Sequence, residues 1–186
     1  VAAGAPGVTD VNAVIVIATS YLLGWRYVPL QAMLESALGV PAAIDNDVNL
    51  AALGECHAGI AQGVKNFVFL AVGTGIGAGI ILNGTLFRGM DWTAGEIGYM
   101  LVPGVQEEPA GLYEPGALES MAGGEGIRNQ WLRAWNPEKT RLPKELTATQ
   151  IFDHAVEEHG DPLASAILQQ SARLLAYALY NMSLVL

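Results

Sequence analysis

Apolar side chains along this 186-residue chain recur at two periods, and the switch between them marks out the elements. The opening VAAGAPG reads as the end of a buried strand running into a Gly/Pro turn. Leu30–Leu38 (LQAMLESAL) carries helical spacing and stops at Gly39, a residue type that ends helices because it accepts left-handed backbone angles. Pro41 opens a short extended segment, and a second helix is predicted over Asn46–Ile60 with Leu50, Leu53 and Ala58 on one stripe. Two apolar runs follow, Phe67–Val72 and Ala78–Leu82, separated by GTGIG, and their pattern is that of a hairpin. Asn83-Gly84 is a two-residue turn signal, so Thr85–Phe87 should fold back as a third antiparallel strand. Gly, Pro and Glu between Pro103 and Pro115 mark a loop, after which helix resumes near Leu118 and runs toward Trp135. NPEKTRLPKE is an exposed connector. Two last helices are predicted, about Thr149–Glu158 with Thr147 or Thr149 as cap, and Asp161–Leu186, where Asp-Pro supplies the cap and first turn.

Composition narrows what such a chain can do. It has 52% hydrophobic and 15% charged residues, enough apolar side chain for one ordinary domain or two small lobes. Eighteen Asp and Glu against nine Lys and Arg give a net charge of −9 with no basic run, which argues against a surface for a phosphate backbone. A single cysteine, Cys56, excludes a disulfide framework and fits a reducing cytoplasm. His57, His154 and His159 match no metal-ligand spacing. Leu163–Leu186 is the most apolar stretch, but Gln169, Gln170, Ser171, Arg173 and Asn181 interrupt it, so a buried helix rather than a membrane span is expected. The chain begins on Val1 without the basic start of a signal peptide, and is expected to be a piece of a longer protein. Trp25 is expected to pack in a turn, and Trp92, Trp131 and Trp135 in a core or interface rather than along a groove. Cys56 beside His57 lies mid-helix without a third orienting group, so it reads as a packed residue next to an exposed imidazole.

Three places can carry chemistry. The turn Gly73-Thr74-Gly75-Ile76-Gly77 leaves backbone N–H groups that a phosphate can approach, although glycines in a tight hairpin also serve structure alone. It is not the dinucleotide fingerprint, because a strand and not a helix follows. Asp45, Asn46 and Asp47 stand where an extended segment meets a helix. Capping explains them; so does a carboxylate that takes a proton from a substrate hydroxyl while Asn46 orients it. Glu96, in Ala-Gly-Glu-Ile-Gly, is a lone carboxylate between glycines, open to a ligand role or to solvation.

The string IDNDVNLAALGECHAGIAQGVKNFVFLAVGTGIGAGIILNGTLFRGMDWTAGEIGYM closely resembles the central signature of the ROK family of repressors, open reading frames and sugar kinases. GAPG upstream, Gly24–Leu30 (GWRYVPL) and Gly116–Gly124 (GALESMAGG) extend the resemblance over about residues 4–124. It implies an α/β, actin-like (ribonuclease H-like) ATPase fold of two lobes, with residues 1–62 in the first and 63–186 in the second, sugar-binding and phosphate-loop lobe. It further implies that Asp47 is the catalytic base toward a sugar hydroxyl. Asn46, Glu96, Glu119, Tyr99 and the Gly7 turn would bind the sugar, and Gly73, Thr74, Gly75 and Gly77 the phosphates. Carboxylates and an amide suit a neutral, hydroxyl-rich ligand whose donors each need an acceptor.

The departures carry information too. Tyr99 stands where the family has the histidine of GEIGH, and Ala110, Leu112 and Ala117 stand where it has the three cysteines of a zinc element. All four ligands are missing together, so no zinc is expected, and the loop must be held by packing, with Tyr113 and Leu112 as candidates. This favours the effector-binding part of a sugar-responsive transcriptional regulator. The alternative is a sugar kinase acting on a hexose or N-acetylhexosamine with ATP and Mg, and a third reading is a pseudo-enzyme that only binds sugar. The family's first phosphate motif and a regulator's helix-turn-helix would precede Val1, and the adenosine motif would follow Leu186. DNA would be bound only through a domain outside this chain, no membrane is implicated, and a homodimer or homotetramer in the cytoplasm is expected.

Overall fold

The computed structural model describes the chain except positions 13, 14, 19–21, 23, 106, 107, 109, 112 and 159, so Leu112 and His159 lie outside the described residues. Packing divides the chain into two compact units. The first holds Val1–Ala71, Gly77–Glu96 and Gly111–Glu114; the second holds Val72–Ile76, Ile97–Ala110 and Pro115–Leu186.

In the first unit, β1 (Ala2–Ala5) pairs in parallel with β5 (Ala43–Asn46), Ala5 opposite Asn46. The connection between them contains an antiparallel sheet of β2 (Val8–Asp10), β3 (Ile15–Ala18) and β4 (Arg26–Val28), followed by helix α1 (Leu30–Leu38), which ends on Gly39 at φ 68°. The three short strands were not legible in the pattern, because three or four residues are too few to display a two-residue alternation. Helix α2 spans Asp47–Ala58. Its fully buried residues are Asn49 and Ala52, and of the stripe expected from the sequence Leu50 and Leu53 are half-buried, Leu53 packing against the core, whereas Ala58 is exposed. Asn49 turns inward because its amide hydrogen-bonds Asp45, a polar contact that an apolar count cannot foresee. Strands β6 (Phe67–Val72), β7 (Ile76–Leu82) and β8 (Thr85–Phe87) form the expected meander, β7 and β8 antiparallel. Asn83 at φ 53° and Gly84 at φ 77° make the tight turn. Ala52, Ile81 and Leu86 form the core here, backed by Leu53, Phe67 and Phe69.

The second unit is helical apart from the short pieces of chain it borrows. The helix expected from Leu118 to Trp135 is broken in two, α3 (Glu119–Ala122) and α4 (Gly124–Ala134). Gly123 between them is extended, at φ −75° and ψ 159°, and consecutive glycines offer little resistance to leaving the helical conformation. Helix α5 (Ala148–Val156) starts at Thr147 with a reciprocal capping box to Gln150, and α6 (Pro162–Ser183) starts at Asp161, whose Oδ1 accepts from Leu163 and Ala164 N–H. Trp131 is fully buried among Leu146, Ile151, Ala164 and Ile167, and its indole N–H donates to Lys144 O at 3.0 Å. Trp135 packs against the same core, so both of these tryptophans serve packing. Among the described residues no helix is long and apolar enough to cross a membrane.

Candidate functional site

The three polar residues at the end of β5 divide the work. Asn46 caps α2: its Oδ1 accepts from Val48 N–H at 2.8 Å and Asn49 N–H at 3.0 Å, and its Nδ2 donates to Gly7 O at 3.0 Å. Gly7 adopts φ 86°, a left-handed conformation available to glycine at little cost, which orients its carbonyl toward that amide. Asp45 is 5% exposed and fully engaged. Its Oδ1 accepts from Asn46 N–H at 2.8 Å and Asn49 Nδ2 at 3.2 Å, and its Oδ2 from Arg88 Nε at 3.2 Å and Nη2 at 2.6 Å. Asp47, the first residue of α2, is exposed, and its Oδ1 takes only a local bond from Val48 N–H at 3.0 Å. Capping thus falls to Asn46, while Asp47 is the exposed carboxylate of the triplet.

Glu96 closes a loop in the same unit. Its N–H donates to Thr93 O at 3.1 Å, and the residue is half-buried. Gly95 before it has φ 93°, and its carbonyl accepts from Ala78 N–H in β7 at 2.7 Å. A side chain at Gly95 would run into the carbonyl of Ala78, so this position admits only glycine.

Within the second unit, Glu119 is 8% exposed and its Oε2 accepts from Ile76 N–H at 2.8 Å, anchoring the last part of the GTGIG turn to α3. Gly73 O and Thr74 O accept from Gly124 and Glu125 N–H at 2.8 and 3.2 Å, which ties the turn to the start of α4. Beside it opens a cleft of about 490 Å³ lined by Val72, Gly73, Thr74, Gly124, Arg128, Thr147 and Phe152, among others. Gly73 and Thr74 are exposed, and an added side chain at Gly73 would meet nothing within 4 Å. Gly75 is half-buried, whereas Gly77 lies inside β7 with Val48 against its Cα. Tyr99 ends a single 3-10 turn, Ile97–Tyr99, and is half-buried. Of the positions that correspond to the missing zinc ligands, Ala117 is buried and Ala110 half-buried. No cluster of three or more His, Cys, Asp or Glu suited to a metal occurs among the described residues. Tyr113, a candidate for holding that loop, stacks under Arg26, whose guanidinium lies 5.0 Å from its ring centroid and 5.9 Å from that of Tyr27.

Residues 1–186 match the ROK family model. The chain belongs to the ROK family. It is 32% identical over 187 residues to a glucokinase of Halalkalibacterium halodurans, covering 97% of this chain and 56% of that protein. Among solved structures, a ROK family glucokinase from Streptomyces griseus in complex with glucose and AMPPNP superposes with a TM-score of 0.82 at 27% identity, over 98% of this chain and 60% of that one. A ROK family transcriptional regulator, a homologue of the E. coli MLC protein, superposes with a TM-score of 0.75 at 29% identity, over 96% of this chain and 45% of that one. The fold is thus the α/β actin-like fold of ROK hexokinases, and this chain spans just over half the length of the glucokinase it matches. ROK relatives include both kinases and regulators. Arg88, a lone cation at the end of an uncharged stretch, belongs to no motif in the sequence, and only the fold brings it to Asp45.

Proposed function

We propose that this chain is the sugar- and phosphate-binding part of an ATP-dependent ROK sugar kinase acting on a hexose or N-acetylhexosamine. The observation that carries the reading is the cleft of about 490 Å³ beside an exposed, firmly anchored Gly73-Thr74 turn, in a chain whose Asp47 carboxylate is also held open to solvent. The cleft is proposed to take a nucleotide: its walls include Val72, Ile127, Ala148 and Phe152, and Arg128 stands in it paired with Glu125 and Glu145. The Gly73 N–H is spent on Gly75 O at 2.9 Å, so a phosphate would have to displace that bond to reach it. Gly73, Thr74 and Gly75 are the proposed phosphate contacts, with Gly77 keeping the following strand close to α2. ATP with Mg supplies the phosphoryl group and screens its charge when bound.

The remaining steps belong to side chains. Asp47 accepts the proton of the sugar hydroxyl as that oxygen becomes the nucleophile, from its exposed place on the first turn of α2. Within the first unit Asn46, Gly7 and Glu96 are proposed sugar contacts, and within the second Tyr99 and Glu119 are. Glu119 has one oxygen on Ile76 N–H and the other left for a hydroxyl. The proposed setting is a cytoplasmic homo-oligomer. A coupled assay of the intact parent with ATP over a panel of hexoses and N-acetylhexosamines tests the reading, with turnover expected on at least one sugar. Sugar binding without turnover on any of them would instead favour the second reading, a regulator's effector domain. The missing zinc ligands support that second reading, and any DNA contact would then come from outside residues 1–186. Elemental analysis is expected to give less than stoichiometric zinc in either case, because Tyr99, Ala110, Leu112 and Ala117 provide neither thiolate nor imidazole; a full equivalent would refute this.

A further inference from the structure

We infer that Arg88 is a positioning residue that sets the proposed base, Asp47, against the proposed sugar-binding carboxylate, Glu96, through one ionic brace; the inference rests on the kinase reading above. Arg88 follows directly on β8 and is bonded in two directions. Its guanidinium grips Asp45 Oδ2 with both Nε and Nη2, at 3.2 and 2.6 Å. Its carbonyl accepts from Ala94 N–H at 3.1 Å, which closes the loop that ends on Gly95 and Glu96. Gly95 in turn is pinned to β7 through Ala78 N–H.

On the other side of the brace, Asp45 holds the chain that leads into α2. Its Oδ1 takes the N–H of Asn46 and the side-chain amide of Asn49, so the carboxylate receives four donors from three residues on two segments of chain. Asn49 spends its Nδ2 on this contact although its own Oδ1 is buried with no hydrogen-bond partner among the described residues. A buried polar group is not left unpaired without cost, so the amide is retained for what it does to Asp45. The side chain of Asp45 is 7% exposed and that of Arg88 29%, so the pair is partly desolvated and geometrically fixed by the two-donor grip. Asp45 and Arg88 spend their charges on each other and hold the backbone on which Asp47 and Glu96 stand. Both guanidinium donors converge on the one oxygen Oδ2, and the planar group fixes the direction of that approach more tightly than a freely rotating ammonium does.

The test is Arg88→Lys in the intact parent, alone and with Asp45→Asn, since Arg88→Ala would strand a buried carboxylate and can fail to fold for that reason alone. In Arg88→Lys, kcat is expected to fall on the order of 10²-fold, the loss typical of a misplaced catalytic group. KM for the sugar should rise as well, because the same brace holds the Glu96 loop, while KM for ATP stays unchanged. A bystander role would lower the melting temperature and leave kcat per folded molecule intact, and that result overturns the inference. The double variant should be no slower than the slower single one, because both substitutions break the same brace; additive losses count against it. Hydrogen exchange supplies a readout independent of turnover. Asn46 and Ala94 amides should exchange faster in Arg88→Lys while those of α4 and α6 keep their protection, and unchanged exchange at both amides overturns the inference. If the wild-type parent phosphorylates no sugar, the kinase reading fails, and the exchange data still decide whether Arg88 holds the two segments.

Discussion

Asp47→Asn in the intact parent is expected to lower kcat by about 10²–10⁴-fold, the range associated with losing a positioned general base. Asparagine keeps the shape of the side chain and can still accept from Val48 N–H, the bond of 3.0 Å that Asp47 makes now. It cannot take a proton. The helix cap is untouched because Asn46, not Asp47, supplies it, so the stability lost with the charge at the first turn of α2 should not exceed about 1 kcal/mol. Sugar affinity should fall about tenfold, as for the loss of one charge-assisted hydrogen bond. Single-turnover phosphoryl transfer and calorimetry together separate the two effects. A variant with wild-type kcat would remove Asp47 from the mechanism, and one with wild-type affinity and no kinase activity in either protein would leave it without a role.

How much of this was legible in the sequence depends on whether a residue's job is local. The meander of β6, β7 and β8 was readable because apolar runs and an Asn-Gly turn are signals contained within a few residues. The caps at Thr147 and Asp161 were readable for the same reason. The sheet of β2, β3 and β4 was not, because its strands are held by one another across the chain and each is too short to show a pattern. The break at Gly123 was overlooked, since a helix interrupted by one extended residue keeps the composition of a continuous one.

The candidate site divides along the same line. Asp45, Asn46 and Asp47 were visible as a polar triplet, but the sequence could not say which of them caps, which braces and which faces solvent. Strand pairing decides it. Asn46 lies opposite Ala5, the capping geometry occupies its amide, and Asp45 one step earlier is carried inward to Arg88, 43 positions away in sequence. Asp47 falls just beyond, on the first turn of the helix. Its proposed role as base rests on the ROK resemblance and not on spacing, because an acidic residue at a helix start has an ordinary electrostatic explanation.

A second large effect is expected at Glu119, where two substitutions should separate a structural task from a ligand-binding one. In Glu119→Ala the buried Ile76 N–H loses its acceptor, and leaving such a donor unpaired costs about 1–3 kcal/mol. The GTGIG turn would then be held to the helices only by the bonds from Gly73 O and Thr74 O to the start of α4. Glu119→Gln keeps an oxygen for Ile76 N–H, so its stability should stay within about 1 kcal/mol of wild type. What it removes is the negative charge proposed to receive a sugar hydroxyl, and sugar affinity should fall about tenfold or more. Thermal denaturation and calorimetry on the two variants read these quantities separately. Loss of affinity in Glu119→Ala alone, in step with its loss of stability, would mean that the carboxylate only anchors the phosphate turn. Loss of affinity in a fully stable Glu119→Gln would mean that one carboxylate serves both, with one oxygen for the protein and the other for the ligand.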